Sequence, residues 1–192
     1  MLTCLVLGMG IPTIPNYIIT SSLAGPALLE LGVPLLVSHM FVFYFGIMAD
    51  LTPPVALAAF AAAPMAKVSG MKIAVQASKL AVAGFLVPFM AVYTPSLMLQ
   101  DAGPMAAAFG YPVEVAYVLI KTCLAIGLWG MTVVGYLAGP ALLWERVVAL
   151  IAGASLVLAL PATDEFGFAL AAVLIGQHLW RARRRRHAVA AS

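Results

Sequence analysis

Charged residues are scarce in this sequence, and their scarcity excludes most soluble folds. Only 9% of the 192 residues are Asp, Glu, Lys or Arg, whereas 64% are hydrophobic and the mean hydropathy is +1.08. Soluble domains carry roughly 25% charged residues. Several apolar runs approach the roughly 20 residues that a helix needs to cross a bilayer. The composition therefore predicts an all-α polytopic membrane protein.

Cysteine is scarce too, and the first residues do not have the pattern of a signal peptide. Cys4 and Cys123 both lie in apolar runs, which argues against a disulfide framework. The first eight residues have no basic lead and are too short for a signal peptide or a span. We therefore expect the chain to be the C-terminal part of a longer protein. Five arginines within residues 181–186 explain the positive net charge as a topology signal, and nothing else favours nucleic acid as a partner.

Enzyme motifs are also missing. The sequence has no His-x-x-x-His, no Gly-x-Ser-x-Gly and no paired carboxylates. His39 and Asp50 would share a face only on an unbroken helix, which Gly46 and the following prolines argue against. An intramembrane enzyme, such as a lipid-modifying transferase or a protease, and a non-transporting scaffold remain the alternatives to a transporter.

Phe41 to Ala66 is an apolar segment with a break in its middle. Pro53 and Pro54 cannot lie inside an uninterrupted helix, because proline lacks an N–H group and its ring clashes with the preceding turn. We expect a second half-helix, Val55 to Ala66, with Thr52 as its N-cap. Backbone leaves helical geometry at membrane depth only where protein or water satisfies it. The break therefore predicts a binding site.

A second break lies near the start of the chain. Residues 8–13, GMGIPT, separate a short apolar helix end from an apolar helix that runs from Ile14 to about Leu31. This pattern predicts a re-entrant hairpin, with Thr13 as the cap of its second limb. Asn16 either lines the hairpin or makes an interior polar contact.

The two breaks together predict an ion and substrate site. Each presents a helix C-terminus with free carbonyls and a helix N-terminus with free N–H groups. If the breaks meet, carbonyls near Gly8 and Ala49 can hold a cation such as Na⁺, with hydroxyl ligands from Thr13 and Thr52. The helix N-termini after these threonines can face an anionic substrate. Asp50 either aids cation binding, carries a coupled proton or caps the local backbone.

These patterns predict four regions: a re-entrant hairpin (1–31), a discontinuous transmembrane helix (32–66), a connection with a spanning helix (67–100) and an extension of about three membrane helices with a basic tail (101–192). The predicted spans are Leu80–Leu99, Val113–Leu137, Leu142–Leu160 and Phe166–Trp180, with an acidic turn at Pro161–Glu165. Basic residues fall on alternate connections, and the loop with Asp101 lies on the opposite side. The positive-inside rule therefore places the C-terminus in the cytoplasm. We interpret Lys121 as snorkelling from near the outer end of its span, and His178 as an interfacial anchor.

These motifs resemble a known transporter family. The stretches GMGIPT, PALLELGVP and FGIMADLTPPVALAAFAAAPMA are similar to the C-terminal half of the large membrane subunit of TRAP (tripartite ATP-independent periplasmic) transporters, the DctM-like permeases. The fused permeases, in which small and large subunits share one chain, are most similar. The resemblance covers about residues 1–100. It implies the C-terminal inverted repeat of an elevator-type transporter of the ion transporter superfamily, with extra C-terminal helices.

The resemblance also implies a chemistry. Such permeases use a Na⁺ gradient, and no organic cofactor, to import organic acids, often C4-dicarboxylates, across the bacterial inner membrane. Their partners are a periplasmic substrate-binding protein and a small permease subunit or fused N-terminal half. Carried over, the sodium site comprises Gly8, Gly10, Thr13, Thr52 and Pro53, and the substrate site Thr13, Asn16 and Thr52. The position of Asp50 is usually uncharged in relatives, so a coupling role for it does not come from the resemblance.

Overall fold

The structure, a computed structural model, describes residues 1–100, 106–158 and 160–190, which form helices and no β-strand. The helices are α1 (Leu2–Leu7), α2 (Thr13–Glu30), α3 (Leu35–Met48), α4 (Leu57–Ala66), α5 (Gly70–Leu80), α6 (Val82–Tyr93), α7 (Ala106–Phe109), α8 (Tyr111–Val134), α9 (Leu143–Val157) and α10 (Pro161–Ala190), with a 3₁₀ turn at Pro95–Met98. Among these described residues, two stretches are long and apolar enough to cross a membrane, Gly70–Tyr93 and α8. The chain divides into two compact units, Met1–Val118 and Leu119–Ser192.

The first unit is organised around α3, which packs against α2 and α6. Phe41 and Phe45 of α3 are buried, and their rings contact Phe89 of α6 edge-on with centroids 5.4 and 5.5 Å apart. Edge-to-face aromatic pairs add roughly 0.5–1.5 kcal/mol to the burial of the rings. This core fixes the C-terminal end of α3, where the break begins.

The break predicted in the second helix is confirmed, but the predicted start of its second half is wrong. α3 ends at Met48 and α4 begins at Leu57, after a connecting segment that contains a cis peptide bond between Pro53 and Pro54. The N-cap of α4 is Ala56, with φ of 40°, rather than Thr52. Thr52 instead donates its hydroxyl proton to the Met48 carbonyl, 2.6 Å away. It therefore closes the end of α3 and does not open α4.

The predicted hairpin has two helical limbs, α1 and α2, joined by residues 8–12. The predicted cap at Thr13 is wrong, because Pro12 is the N-cap of α2 and Thr13 is already the first helical residue. No side chain accepts a hydrogen bond at this cap. Proline in extended geometry before the first turn explains the shift, since its fixed φ suits the entry into a helix.

Two boundaries after the break also differ from the prediction. The lysine-containing connection is helical, as α5, and α6 ends at Tyr93, before the expected Leu99. The expected acidic turn at Pro161–Glu165 is wrong, because these residues form the first turn of α10. Proline and acidic side chains are favourable there, since the first turn lacks N–H partners and is partly positive. Asp101 lies outside the described residues.

The expectation that Lys121 snorkels from near the outer end of its span is wrong. It lies ten residues after Tyr111, about 15 Å into α8 at 1.5 Å per residue, and is 2% exposed. Its Nζ lies 2.7 Å from the Asp164 carboxylate of α10. A charge at such depth is costly without a partner, so the ion pair explains how the lysine is buried.

The expectation that His178 is an interfacial anchor is also wrong, because its side chain is buried against α9. His178 Nδ1 lies 3.2 Å from Glu145 Oε2, which also accepts a 2.6 Å hydrogen bond from Arg181. The backbone N–H of Leu142 donates to the same carboxylate oxygen at 2.8 Å. One buried carboxylate therefore joins α10 to the start of α9.

Candidate functional site

The tip of the hairpin and the break in the second helix lie against each other in the first unit. A methyl carbon placed on Gly8 would lie 2.9 Å from the Cβ of Ala49, which is too close for two real carbon atoms. A methyl carbon on Gly10 would lie 3.9 Å from Cγ1 of Val55, and the φ of +77° at Gly10 strains any other residue. The two breaks therefore meet, which is the condition on which a shared ion site depends.

Asn16 joins the two breaks by a hydrogen bond. Its side chain is 2% exposed, and Nδ2 donates to the Gly46 carbonyl at 2.9 Å, across 30 residues of sequence. The amide fits only because both neighbours are glycine: a methyl carbon would lie 2.7 Å from Nδ2 on Gly8 and 3.0 Å from it on Gly46. We call the contact region formed by Gly8, Gly10, Asn16, Gly46 and Ala49 the junction.

Backbone carbonyls at and beside the junction already accept some hydrogen bonds. The Met48 carbonyl accepts from the Thr52 hydroxyl and from the N–H of Leu51, whereas the Ala49 carbonyl accepts one bond, from the N–H of Thr52 at 3.3 Å. The Gly8 carbonyl accepts a long bond, 3.5 Å, from Ile11. The expectation of wholly free carbonyls is therefore too strong. Since each carbonyl oxygen has two lone pairs, those of Gly8 and Ala49 retain room for a further partner.

Two side-chain oxygens beside the junction are buried without a hydrogen-bond partner among the described residues. They are Oδ1 of Asn16 and Oδ1 of Asp50, the residue that follows Ala49. Burying a polar atom without a partner costs roughly 1–3 kcal/mol in proteins, and more for a charged group. These acceptors together suit a hard cation, because such ions prefer oxygen ligands.

The donor set does not suit a transition metal. Among the described residues, no group of three or more His, Cys, Asp or Glu side chains is arranged to hold a metal ion. His39, the histidine nearest in sequence to Asp50, pairs its Nδ1 with the Tyr17 hydroxyl at 2.8 Å. An enzyme hypothesis would pair His39 with Asp50. His39 instead contacts Tyr17 and so joins α3 to α2.

The predicted site residues lie in the junction, beside the junction or apart from it. Gly8, Gly10 and Asn16 belong to the junction, and Thr52 and Pro53 lie in the connecting segment beside it. Thr13 is set apart: its side chain is exposed in the first turn of α2 and makes no hydrogen bond within residues 1–100.

Gly46 was not predicted as a contact residue, and Ala49 was predicted only for its backbone carbonyl. Each is a small residue within four positions of the predicted break, and this was the signal available in the sequence. Small residues let two pieces of backbone approach closely in membrane proteins. The need for both became visible only once the position of Asn16 was known.

Comparison with known proteins identifies a family that matches the first half of the chain. A family model described as the DctM component of the tripartite ATP-independent periplasmic transporter matches residues 1–106, which include the hairpin, the break and the whole junction. Neither a curated protein nor a solved structure matches the chain. The family match covers more than half of the 192 residues. The chain therefore belongs to the DctM family and is a membrane permease component of a TRAP-type transporter.

Proposed function

We propose that this permease component is driven by Na⁺ and that the junction binds the coupling ion. The observation that carries the proposal is the pair of buried, unpartnered oxygens, Asn16 Oδ1 and Asp50 Oδ1, beside the meeting point of two helix breaks. Unsatisfied polar groups cost several kcal/mol each in hydrocarbon. A bound cation would satisfy both oxygens at once.

Thr52 is suited to add a third side-chain oxygen. Its hydroxyl donates a hydrogen bond to the Met48 carbonyl at 2.6 Å, which leaves the lone pairs of the hydroxyl oxygen available to a cation. The carbonyl oxygens of Gly8 and Ala49 would complete the set. Gly10 and Pro53 would act through the backbone shape that they give to the tip and the connecting segment.

The substrate is proposed to be an organic acid of the C4-dicarboxylate type. The N-terminus of α2 carries free N–H groups and a partial positive charge, which favour a carboxylate. Thr13 lies exposed in this first turn, so a substrate contact suits it better than a cation contact. Asn16, one turn further along α2, would link the substrate end of the helix to the cation site.

The remaining parts of the proposal follow from family membership. Delivery by a periplasmic substrate-binding protein, and assembly with a small permease subunit or a fused N-terminal half, are implied by the tripartite nature of the family. We place the chain in the bacterial inner membrane with its C-terminus in the cytoplasm. The hairpin and the broken helix would move as one body in an elevator, since Asn16 bonds one to the other.

Replacing the Thr52 hydroxyl tests the cation site. In vesicles containing the assembled transporter, supplied with binding protein and labelled dicarboxylate, Thr52→Val should raise the half-saturating Na⁺ concentration by about tenfold, the factor for about 1.4 kcal/mol. Thr132→Val is the matched control, because Thr132 donates the same kind of bond, to Leu128 four residues earlier, but lies in the second unit. An unchanged Na⁺ requirement in well-folded Thr52→Val would remove this oxygen from the site.

Asp50→Asn in the same assay distinguishes Na⁺ coupling from proton coupling. The proposal expects uptake that is still driven by Na⁺, with a higher half-saturating concentration, because an amide oxygen replaces a carboxylate ligand. Loss of uptake together with loss of its pH dependence would instead make Asp50 a proton carrier and would contradict Na⁺ coupling.

A further inference from the structure

A groove of about 390 Å³ runs along one face of α5, and none of its lining residues belongs to the junction. It is lined by Val68, Lys72, Ile73, Gln76, Ala77 and Leu80. Val68 precedes α5, and the other five lie within α5 at positions that are three and four residues apart from one turn to the next, so these five share one side of the helix. Lys72 and Leu80 are eight residues apart, about 12 Å along the axis. From Lys72 to Leu80 the lining therefore changes from polar to apolar, and Val68 adds a further apolar side chain before Lys72.

The surface around the groove carries charge of one sign. Lys67, Lys72 and Lys79 are exposed, and no Asp or Glu occurs between Leu51 and Gln100. Within residues 51–100, none of the three lysines forms an ion pair. The region therefore attracts anions, and its lysines are free to contact one.

We propose that the groove binds an anionic phospholipid. Its phosphate would lie against Lys72 and Gln76, and an acyl chain would follow Ile73, Ala77 and Leu80. A cation and an amide at one end, with aliphatic side chains along the rest, match an anionic head group followed by hydrocarbon. The 12 Å length is close to the roughly 15 Å hydrocarbon depth of one leaflet.

The position of the groove in the chain supports this occupant. Gly70–Tyr93 is long and apolar enough to cross a membrane, and Lys72 lies at its beginning. The first turn of a span lies at the level of lipid head groups, where lysine commonly meets phosphate. A soluble anion would contact the lysine but not the apolar residues. A phospholipid from the membrane would contact both.

The test compares two lipids that share acyl chains and differ in charge. Phosphatidylglycerol or phosphatidylcholine is titrated into the purified full chain in neutral detergent, and the melting temperature is followed. Phosphatidylglycerol should stabilise at lower concentration. Lys72→Gln should weaken its apparent affinity about fivefold, the factor for about 1 kcal/mol per basic residue near a charged surface. Lys67→Gln and Lys79→Gln remove the same charge outside the groove lining and should change the affinity less than twofold.

A second variant tests the apolar part of the groove. Ala77→Trp fills the groove between the lysine and Leu80 and should abolish selective binding while leaving all three lysines in place. Lipid that co-purifies with each variant, quantified by mass spectrometry, gives a readout that does not depend on the melting temperature. Equal stabilisation by the two lipids, an equal loss in Lys79→Gln and Lys72→Gln, or equal protection by inorganic phosphate would each overturn the proposal.

Discussion

Individual side chains decide how closely the hairpin tip approaches the break. Gly8 and Gly46 leave the space that the Asn16 amide occupies, and the amide then reaches the Gly46 carbonyl. The bond satisfies one half of the Asn16 side chain and leaves Oδ1 buried with no hydrogen-bond partner in the described part of the chain. A close approach of backbone and a free acceptor therefore come from the same three residues.

Gly8→Ala should destabilise the protein by about 1–3 kcal/mol, as overpacking does elsewhere. Gly8 has an ordinary right-handed backbone, so the loss would come from the new methyl group, which would lie 2.7 Å from Asn16 Nδ2. Gly25→Ala is the control, because nothing lies within 4 Å of a methyl carbon there and alanine favours the α2 helix by up to about 1 kcal/mol. Thermal unfolding in detergent measures both. Equal stability of the two variants would contradict the close contact.

The sequence predicted which residues line the breaks better than it predicted what each one does. Glycine and proline act locally, so the positions of Gly8, Gly10 and Pro53 could be interpreted directly. The bond from Asn16 to Gly46 depends on how helices 30 residues apart pack, and no local pattern encodes that packing. Thr13 was misjudged because a threonine before an apolar run is a common cap, whereas here Pro12 occupies the cap position.

At the scale of helices, buried charges connect the elements of the second unit. Lys121 of α8 pairs with Asp164 of α10, and Glu145 of α9 contacts two basic residues of α10. Attraction between such charges is strong away from water, but only when both partners are present. The last helix is therefore tied by ion pairs to each of the two helices before it.

Removing one partner of the Lys121–Asp164 pair should be much worse than removing both. Lys121→Met or Asp164→Leu alone should cost about 3–5 kcal/mol, because the remaining buried charge loses the opposite charge of its ion pair. The double variant should regain most of this loss. Unfolding free energies of the four proteins give the coupling between the sites. Additive losses would show that the pair contributes nothing by acting together.

Helices were predictable where their limits are set by local chemistry. The two halves of the broken helix followed from the prolines between them. The sequence does not reveal the start of α10, because acidic residues that follow a proline suit a turn and a helix N-terminus equally well. The burial of Lys121 was missed because its partner lies 43 residues away.

For the whole molecule, the distribution of basic residues predicts a membrane orientation. Lys67 and Lys72 lie near the start of the Gly70–Tyr93 stretch, and Arg146 and the arginines that follow Trp180 lie on every second connection after it. Cytoplasmic loops are enriched in such residues, so these connections are expected on the inner side. Family membership adds that the chain works in a transporter of the cell envelope.

A phosphatase that is active only outside the cytoplasm tests this orientation. Fused after Ser192 it should be inactive, because the preceding arginines hold the C-terminus inside. Fused after Gln100 it should be active, since that connection is expected on the opposite side. The reverse pattern would invert the topology. Activity at both positions would mean that the chain crosses the membrane an even number of times between residues 100 and 192, rather than the odd number expected.

The central claim is that the junction binds Na⁺, and the most direct test is the melting temperature of the purified protein in NaCl and in KCl at equal ionic strength. A ligand that binds only the folded state stabilises it by about 2.7 kcal/mol at 100 times its dissociation constant. The account predicts a saturable rise of the melting temperature with Na⁺ that K⁺ does not produce and that Thr52→Val shifts to higher concentration. Identical melting temperatures in the two salts across the titration would contradict it.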